Sequence, residues 1–312
     1  MNPLATVGAF AAGLLLVFGA AVGVGGAVGP IGTAAAEPAH EADAKGSDAH
    51  GGDDLGAEGE PSNRPAAELA PGGLALAQDG YALRLERSTV TAGQPGTLDF
   101  TITGPDDRPL VDLTPTHDKD LHLIVVRRDL TGYQHLHPSR DGAGRWSVPL
   151  TIADPGPYKV FADFQPVGRD RSLTLGADLT APGSYTPKPV PPASDTTTVD
   201  GYDVRLDGRL TAGTSSPLTL TVSKDGRPVT DLQPYLGAYG HLVALRDGDL
   251  AYLHVHPDSE LGDAGTRPGP DVTFYADVPA AATYRLFLDF QHAGVVRTAE
   301  LTAAAKPAGG SR

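Results

Sequence analysis

Three histidines recur at the same spacing in two separate parts of the chain. In each copy a histidine opens an apolar run, and two more follow 13 and 15 positions later in a His-x-His-Pro motif. Seven of the 17 positions from 122 to 138 are identical in the second copy, and three of these seven are histidine. Six of the ten histidines therefore form two candidate trios: His122, His135 and His137, and His241, His254 and His256.

The residues around each trio predict a β-hairpin that would bring its histidines together. Apolar runs flank Asp247-Gly248, a pair typical of a two-residue turn with positive φ. In that register His241 pairs with His254, and His256 lies diagonal on the same face of the sheet. Cross-strand Cβ atoms are about 5 Å apart and diagonal ones about 7 Å, so three imidazoles could converge on one point. The first copy has the same 13-residue offset and predicts the same arrangement.

A second shared stretch adds one carboxylate to each trio. The sequence Tyr158-Lys-Val-Phe-Ala-Asp163-Phe-Gln matches Tyr284-Arg-Leu-Phe-Leu-Asp289-Phe-Gln at five of eight positions. Alternation along this strand predicts one that is covered on both faces. A carboxylate there needs a partner, and a histidine N–H or a metal ion would serve. We therefore expect Asp163 and Asp289 to be fourth ligands or to orient a ligand, unless they only bond backbone amides.

Imidazole and carboxylate ligands suit divalent copper, zinc, nickel or iron. The one methionine is Met1, which excludes a thioether site selective for Cu(I). The hypothesis is that each trio binds Cu(II) or Zn(II). The alternative is a structural or adhesive protein whose histidines are half-buried and bond to the backbone. We expect no enzyme, because the chain contains none of the common nucleophile, phosphate-loop, dinucleotide or His-Glu-x-x-His motifs.

Composition predicts an all-β protein with two tandem immunoglobulin-like antiparallel sandwiches. The chain is rich in glycine (39) and proline (28), and apolar runs alternate with turn residues. The predicted strands are 81–86, 96–103, 121–128, 133–137, 145–152, 158–164 and 172–179, and then 202–206, 217–222, 241–246, 251–256, 271–278, 284–290 and 295–301. A net charge of −14 argues against nucleic acid as a partner, and no protein partner is indicated. With no cysteine the chain forms no disulfide or thiolate metal site.

Six segments follow from these patterns. The first lacks charge before Glu37 and is apolar for long enough to cross a bilayer of about 30 Å. The protein is thus expected to be a single-pass membrane protein with extracytoplasmic domains, or to be secreted after cleavage near Ala36. The segments are an anchor or signal (1–36), a disordered acidic stalk (37–79), sandwich repeat 1 (80–182), a Pro-rich linker (183–200), sandwich repeat 2 (201–303) and a tail (304–312).

This layout resembles bacterial extracytoplasmic immunoglobulin-like proteins of the YtkA-like and copper-resistance CopC-like type. The likeness rests on the Gly/Pro turn leading into the strand Tyr158-Lys-Val-Phe161, and on His-x-His-Pro after an upstream histidine. It covers each repeat separately and implies binding of copper or another transition metal outside the cytoplasm. Two features differ: the chain has no methionine-rich loop, and a mature N-terminus at Glu37 would not supply the histidine of CopC-like Cu(II) sites.

The length of the apolar N-terminal segment generates the first prediction. An uncleaved anchor keeps the full-length protein in the membrane fraction after a carbonate wash, because about 20 apolar residues suffice to span the bilayer. Fractionation followed by N-terminal sequencing checks this. A soluble form that begins at Glu37 would show cleavage instead.

Overall fold

The computed structural model describes residues 72–253, 255–259, 261–263 and 266–309. This part of the chain is all-β, as the composition predicts. It contains no helix long and apolar enough to cross a membrane. The proposed anchor, with most of the stalk, lies outside the described residues.

Repeat 1 contains ten strands arranged in two antiparallel sheets. The sheet order is β1-β2-β3-β8-β7 in one and β10-β9-β5-β6 in the other, with β4 paired to β9. The strands are β1 Ala77–Gln78, β2 Tyr81–Leu85, β3 Pro95–Thr103, β4 Leu113–Thr114, β5 Leu121–Arg127, β6 Gln134–Leu136, β7 Ser139–Arg140, β8 Arg145–Thr151, β9 Gly156–Pro166 and β10 Leu173–Ala181.

Repeat 2 reproduces this plan with ten further strands. Its sheets run β11-β12-β13-β18-β17, with β14 on β13, and β16-β15-β19-β20. The strands are β11 Thr196–Val199, β12 Tyr202–Gly208, β13 Thr214–Lys224, β14 Arg227–Pro228, β15 His241–Arg246, β16 Tyr252–Leu253, β17 Val255–Pro257, β18 Asp271–Val278, β19 Thr283–His292 and β20 Val295–Ala304.

Each repeat is a β-sandwich with its own apolar core. In repeat 1 Phe100 and Trp146 of one sheet pack in the same cluster as Leu123 and Val160 of the other. Repeat 2 has an equivalent cluster. The tandem β-sandwich prediction is therefore confirmed at the level of layers and repeats.

The sheets that contain β5 and β15, called here the inner sheets, are buried on both faces. All seven residues of β5 are buried. Leu123 and Val125 point into the sandwich core, whereas Ile124 and Val126 join a separate cluster with Val243 and Leu245 of β15. This explains why these strands are continuous apolar runs, since alternation of polar and apolar residues requires one face in water. The two repeats therefore share an apolar interface between their inner sheets.

Aromatic side chains complete this interface in a symmetric way. Tyr133 of repeat 1 stacks on Phe287 of repeat 2 with ring centroids 4.1 Å apart. Phe161 of repeat 1 meets Tyr252 of repeat 2 at 5.6 Å. Aromatic pairs stabilise by about 0.5–1.5 kcal/mol beyond their burial, so these two contacts contribute to holding the sandwiches together.

Segments predicted to be stalk and linker are partly built into the fold. Gly72 exchanges backbone hydrogen bonds with Tyr252 of repeat 2, and Gly73 donates to the carbonyl of Thr174 in repeat 1. In the linker, Val190 packs on the interface cluster and the Lys188 amide donates to Asp129 Oδ2 at 2.8 Å. Chain outside the two sandwiches thus contacts both of them.

One predicted strand is wrong in its extent. The sequence predicts a single strand at 251–256, but the structure has two short strands in different sheets. Tyr252 pairs with Leu245 of the inner sheet, whereas His256 pairs with Tyr275 of the other sheet. The chain changes sheets here, which alternation alone does not reveal.

The shared interface predicts that damage in repeat 2 destabilises repeat 1. Phe287→Ala removes a fully buried side chain that stacks on Tyr133, and should cost about 3–5 kcal/mol of unfolding free energy. Trp146, the one tryptophan, reports on repeat 1. Urea titration followed by its fluorescence should show a lower midpoint.

Val295→Ala is the matched control, because Val295 is 47% exposed and its truncation should change stability by no more than about 0.5 kcal/mol. A Trp146 transition that Phe287→Ala leaves in place would contradict the coupling of the repeats.

Candidate metal centre

The strand register brings the first trio together, but not in the predicted pairing. Ile124 pairs with His135 and Leu123 with Leu136, which sets His137 opposite His122. The predicted pairing of His122 with His135 is therefore wrong by two residues. A shift of two residues keeps every side chain on its face, so the three histidines still lie on the interface side of the inner sheet.

Longer turns cause the shift in both repeats. The backbone amide of Arg127 donates to the carbonyl of Thr131, and that of Arg246 to the carbonyl of Ala251. Leu130 and Leu250 adopt φ of 62° and 64°, which closes these wider loops.

An arginine–aspartate pair stabilises each wide turn. The Arg127 guanidinium donates two hydrogen bonds to Asp129, of 2.9 and 3.0 Å, and both side chains are buried. In repeat 2 the Arg246 guanidinium donates to both carboxylate oxygens of Asp249. Such bidentate pairs are geometrically specific. They therefore hold each turn at a greater length than the two-residue turn predicted from Asp247-Gly248.

His122, His135 and His137 form a compact group. Their ring centroids are 5.2 Å apart for His122–His135, 5.2 Å for His122–His137 and 4.7 Å for His135–His137. One nitrogen from each ring lies within 4.8 Å of those of the other two, the separation of groups that can hold a metal ion. His122 is almost fully buried, with 6% of its surface exposed.

Oxygen acceptors fix the orientation of two of these rings. The carbonyl oxygen of Thr116 lies 2.9 Å from His122 Nε2, and the Asp289 carboxylate oxygen Oδ2 lies 2.8 Å from His135 Nδ1. Since these oxygens accept, His122 Nε2 and His135 Nδ1 must carry the protons. A second contact of this kind, between His241 Nε2 and the Tyr235 carbonyl at 2.8 Å, orients His241.

The remaining nitrogens of His122 and His135 face each other. His122 Nδ1 and His135 Nε2 are 3.0 Å apart. In two neutral rings with the protons placed as above, both are acceptors, and two facing lone pairs repel. A proton or a cation between them removes the conflict.

Protonation of His122 is unfavourable at this position. Burial lowers the pKa of His122 to about 2, and the neighbouring His135 and His137 add to the effect. Burial, with His135 second, lowers the pKa of His137 to about 4. The pKa of His241 also falls to about 4, mainly through burial. Imidazoles that stay neutral are competent metal ligands.

Two members of the second predicted trio, His241 and His256, lie in different sheets. His241 lies in the interface instead, with its ring centroid 6.2 Å from that of His122 and 6.1 Å from that of His135. His256 sits on the other sheet, where Nδ1 donates to the carbonyl of Tyr275 at 3.2 Å. His254 is outside the described residues. Within the described residues, the one group of three metal-competent side chains is the first trio.

The two aspartates occupy equivalent places but have different partners. Asp163 pairs in register with His122, and Asp289 with His241. Asp163 accepts from Thr174 Oγ1 at 2.9 Å, whereas Asp289 accepts from Thr298 Oγ1 at 2.5 Å and reaches across to His135. Asp289 therefore orients a histidine of the other repeat, rather than one of its own.

His117 is a site residue that the repeat pattern misses. It has a φ of 50° in a tight turn, and its ring centroid lies 5.1 Å from that of His241 and 5.9 Å from that of His122. The equivalent position in the second copy is Leu236. Comparison of the two repeats therefore does not identify His117 as a candidate. The sequence signal that could have identified it is its position five residues before His122.

Comparison with known proteins finds a matching family. A family described as a domain of unknown function (DUF8832) matches the chain twice, at residues 76–180 and 197–307. No curated protein matches.

Several solved structures are similar to the chain at low scores. The Escherichia coli adhesin FdeC is 16% identical at a TM-score of 0.24, with 74% of this chain and 66% of that chain covered. The Yersinia pseudotuberculosis adhesin InvE is 11% identical at 0.24, with 73% and 60% covered, and InvD from the same organism is 12% identical at 0.25, with 75% and 59% covered. The chain spans about two thirds or less of each of these structures.

The lowered pKa values predict that the metal-free protein loses stability as the solution becomes acidic. The unfolded chain binds protons at these histidines near pH 6.5, whereas the folded chain does not until about pH 4 or below. The contribution of these neutral histidines to the free energy of unfolding is therefore fully present above about pH 6.5, and it falls as the pH drops below that value. Each buried histidine contributes a slope of up to about 1.4 kcal/mol per pH unit, and the half-buried His137 contributes less because solvent screens it.

Urea titrations in the presence of a chelator at pH 7, 6 and 5 check this, because carboxylates with ordinary pKa values do not titrate strongly in that range. His122→Asn should reduce the slope of unfolding free energy against pH. An unfolding free energy that is the same at pH 7 and pH 5 would contradict the buried, neutral state of these rings.

Proposed function

We propose that this chain, which belongs to the DUF8832 family, binds a divalent transition metal ion between its two repeats through His122, His135 and His137. The ion would be Zn(II) or Cu(II), with Asp289 of repeat 2 orienting His135 of repeat 1.

One observation carries the proposal: two acceptor nitrogens face each other at 3.0 Å in a buried place. Two nitrogens bound to one ion at 2.0–2.1 Å lie about 2.9 to 3.4 Å apart, for bond angles from square to tetrahedral. The spacing of His122 Nδ1 and His135 Nε2 falls in that range. A cation would replace a repulsive contact by two bonds.

The third histidine adds a donor to the same place. His137 Nε2 is buried and has no hydrogen-bond partner among the described residues. A buried polar atom without a partner costs about 1–3 kcal/mol, and coordination to an ion would remove that cost.

The surroundings resemble the outer shell of known metal sites in their chemistry. Ligating histidines commonly donate their other N–H to a carboxylate or a backbone carbonyl. His135 donates to Asp289 and His122 to the Thr116 carbonyl. Nitrogen ligands of this kind suit both Zn(II) and Cu(II), and at equal availability Cu(II) binds more tightly.

The proposal also includes the finer features of the sequence expectations. We propose immunoglobulin-like topology for each sandwich, and an extracytoplasmic site tethered by the segment 1–36. Support comes from the apolar N-terminal sequence and from the resemblance to YtkA-like and CopC-like proteins, which implies metal binding outside the cytoplasm.

A structural role for the histidines is the second candidate. It is favoured by the contact of His135 with Asp289, both almost fully buried, which joins the two repeats without any ion. Together with the aromatic contacts, it would make the chain a rigid pair of sandwiches for support or adhesion. In this case metal would not change the stability, and the histidines would act only through packing and hydrogen bonds.

Zinc titration of the full-length chain in detergent separates the two candidates. His137→Ala should weaken binding by at least about 100-fold, because it removes one of three ligands while leaving the His135–Asp289 contact in place. Competition with a chromophoric chelator measures the affinity. His256→Ala is the matched control, since His256 lies on the other sheet and should leave the affinity unchanged.

Asp289→Asn supplies an independent test of the orienting role. The amide preserves the shape of the side chain but not its charge, and loss of such a partner typically costs 10–100-fold in metal affinity. Asp178→Asn, at an exposed carboxylate, should have no effect. Zinc binding that is no tighter than that of a stalk peptide containing His40 and His50 would remove the metal function and leave the structural one.

A further inference from the structure

A small cavity lies beside two of the three proposed ligands. Its volume is about 50 Å³, and its wall includes His122 and His135 but not His137. The cavity therefore lies on the side of the trio that faces away from His137. A cavity of roughly 10–15 Å³ already holds one water molecule, so this one has room for a ligand of about three non-hydrogen atoms.

Among the described residues, the chain offers three converging nitrogen ligands and no fourth. His241 of repeat 2 approaches the trio, but its ring centroid lies 6.2 Å from that of His122 and 6.1 Å from that of His135. The rings within the trio are 4.7 to 5.2 Å apart, and His241 is outside their converging group. Zinc in proteins usually has four ligands. No described side chain therefore fills the fourth position of an ion held by the trio.

Apolar side chains form part of the cavity wall. Val243 lies two residues after His241 in β15, so both side chains point to the interface face of the sheet. There Val243 joins the apolar cluster shared by the two repeats. Val243 and His241 both line the cavity. A side chain larger than that of Val243 would therefore take up part of the space beside the trio.

We propose that an ion held by the trio keeps an exchangeable fourth position, which opens into this cavity and binds water or one small anion of up to about three non-hydrogen atoms, such as azide. This inference rests on the proposed function, because the position exists only when the trio holds an ion. It makes the centre an open site that exchanges a ligand, whereas structural zinc sites have all four positions filled by the protein.

Cobalt(II) can report on the fourth position, because its visible absorption changes when one of its ligands changes. The full-length chain in detergent carries His40→Ala and His50→Ala, which remove two stalk histidines, and is loaded with Co(II). His137→Ala in this background should abolish the absorption of the bound ion, which assigns the signal to the trio. Titration with sodium azide should then change the spectrum of the intact trio until one azide is bound per ion.

Val243→Ile tests whether the azide sits in the cavity. One extra methylene in an apolar pocket changes binding by about 10-fold or more, so this variant should weaken azide binding by that factor and leave the affinity for Co(II) unchanged. Val126→Ile is the matched control, because Val126 is fully buried in the same apolar cluster but does not line the cavity. It should leave azide binding unchanged.

Each failure has a different signature. Bound cobalt that depends on His137, with a spectrum that azide does not alter, overturns the exchangeable position while the proposed function stands. Azide binding that appears only after His254→Ala shows that this histidine supplies a fourth ligand, and it also overturns the inference. Azide binding that Val243→Ile leaves unchanged, or that Val126→Ile weakens equally, places the ligand outside the cavity and overturns the inference as well.

A chain that binds no cobalt at the trio overturns both proposals. Urea unfolding of each variant separates a lost ligand from a lost fold. The azide titration of the intact trio needs no substitution at Val243, so it decides whether the fourth position exchanges even if Val243→Ile does not fold.

Discussion

The structure depends on the need to cover both faces of the inner sheets. Strands β5 and β15 are buried at every position except Arg246, whereas a single sandwich would leave one of their faces in water. Packing of one repeat on the other covers these faces and adds the stacked pair Tyr133–Phe287. Buried apolar surface stabilises a fold by about 25 cal/mol per Å². This contact therefore makes the two repeats one folded unit rather than two independent domains joined by a linker.

The same packing gives the histidines their properties. His122 lies on the interface face of β5, at the end of the apolar cluster. There it is close to His135, His241 and Asp289 and shielded from water. Burial keeps the His122 ring neutral, and carbonyl and carboxylate oxygens set the tautomers of His122 and His135. The described histidines therefore gather in one asymmetric cluster, with His122, His135 and His137 from repeat 1 and an orienting carboxylate from repeat 2.

The fold and the first trio could be predicted from local patterns, because strand alternation and the repeat both reside in nearby residues. The register could not be predicted, since Leu130 and Leu250 close wider turns than Asp247-Gly248 suggests. The placement of His241 and His256 in different sheets follows from a change of sheet before Val255, which depends on tertiary pairing. His117 was missed because Leu236 occupies its place in the other copy.

Anomalous diffraction at the zinc edge, from crystals of the zinc-loaded protein, tests the central claim most directly. The account predicts a peak at about 2.0–2.1 Å from His122 Nδ1, His135 Nε2 and a ring nitrogen of His137. A map with no peak between these three rings, or with zinc bound only at surface side chains, would contradict a metal centre at the interface of the two sandwiches.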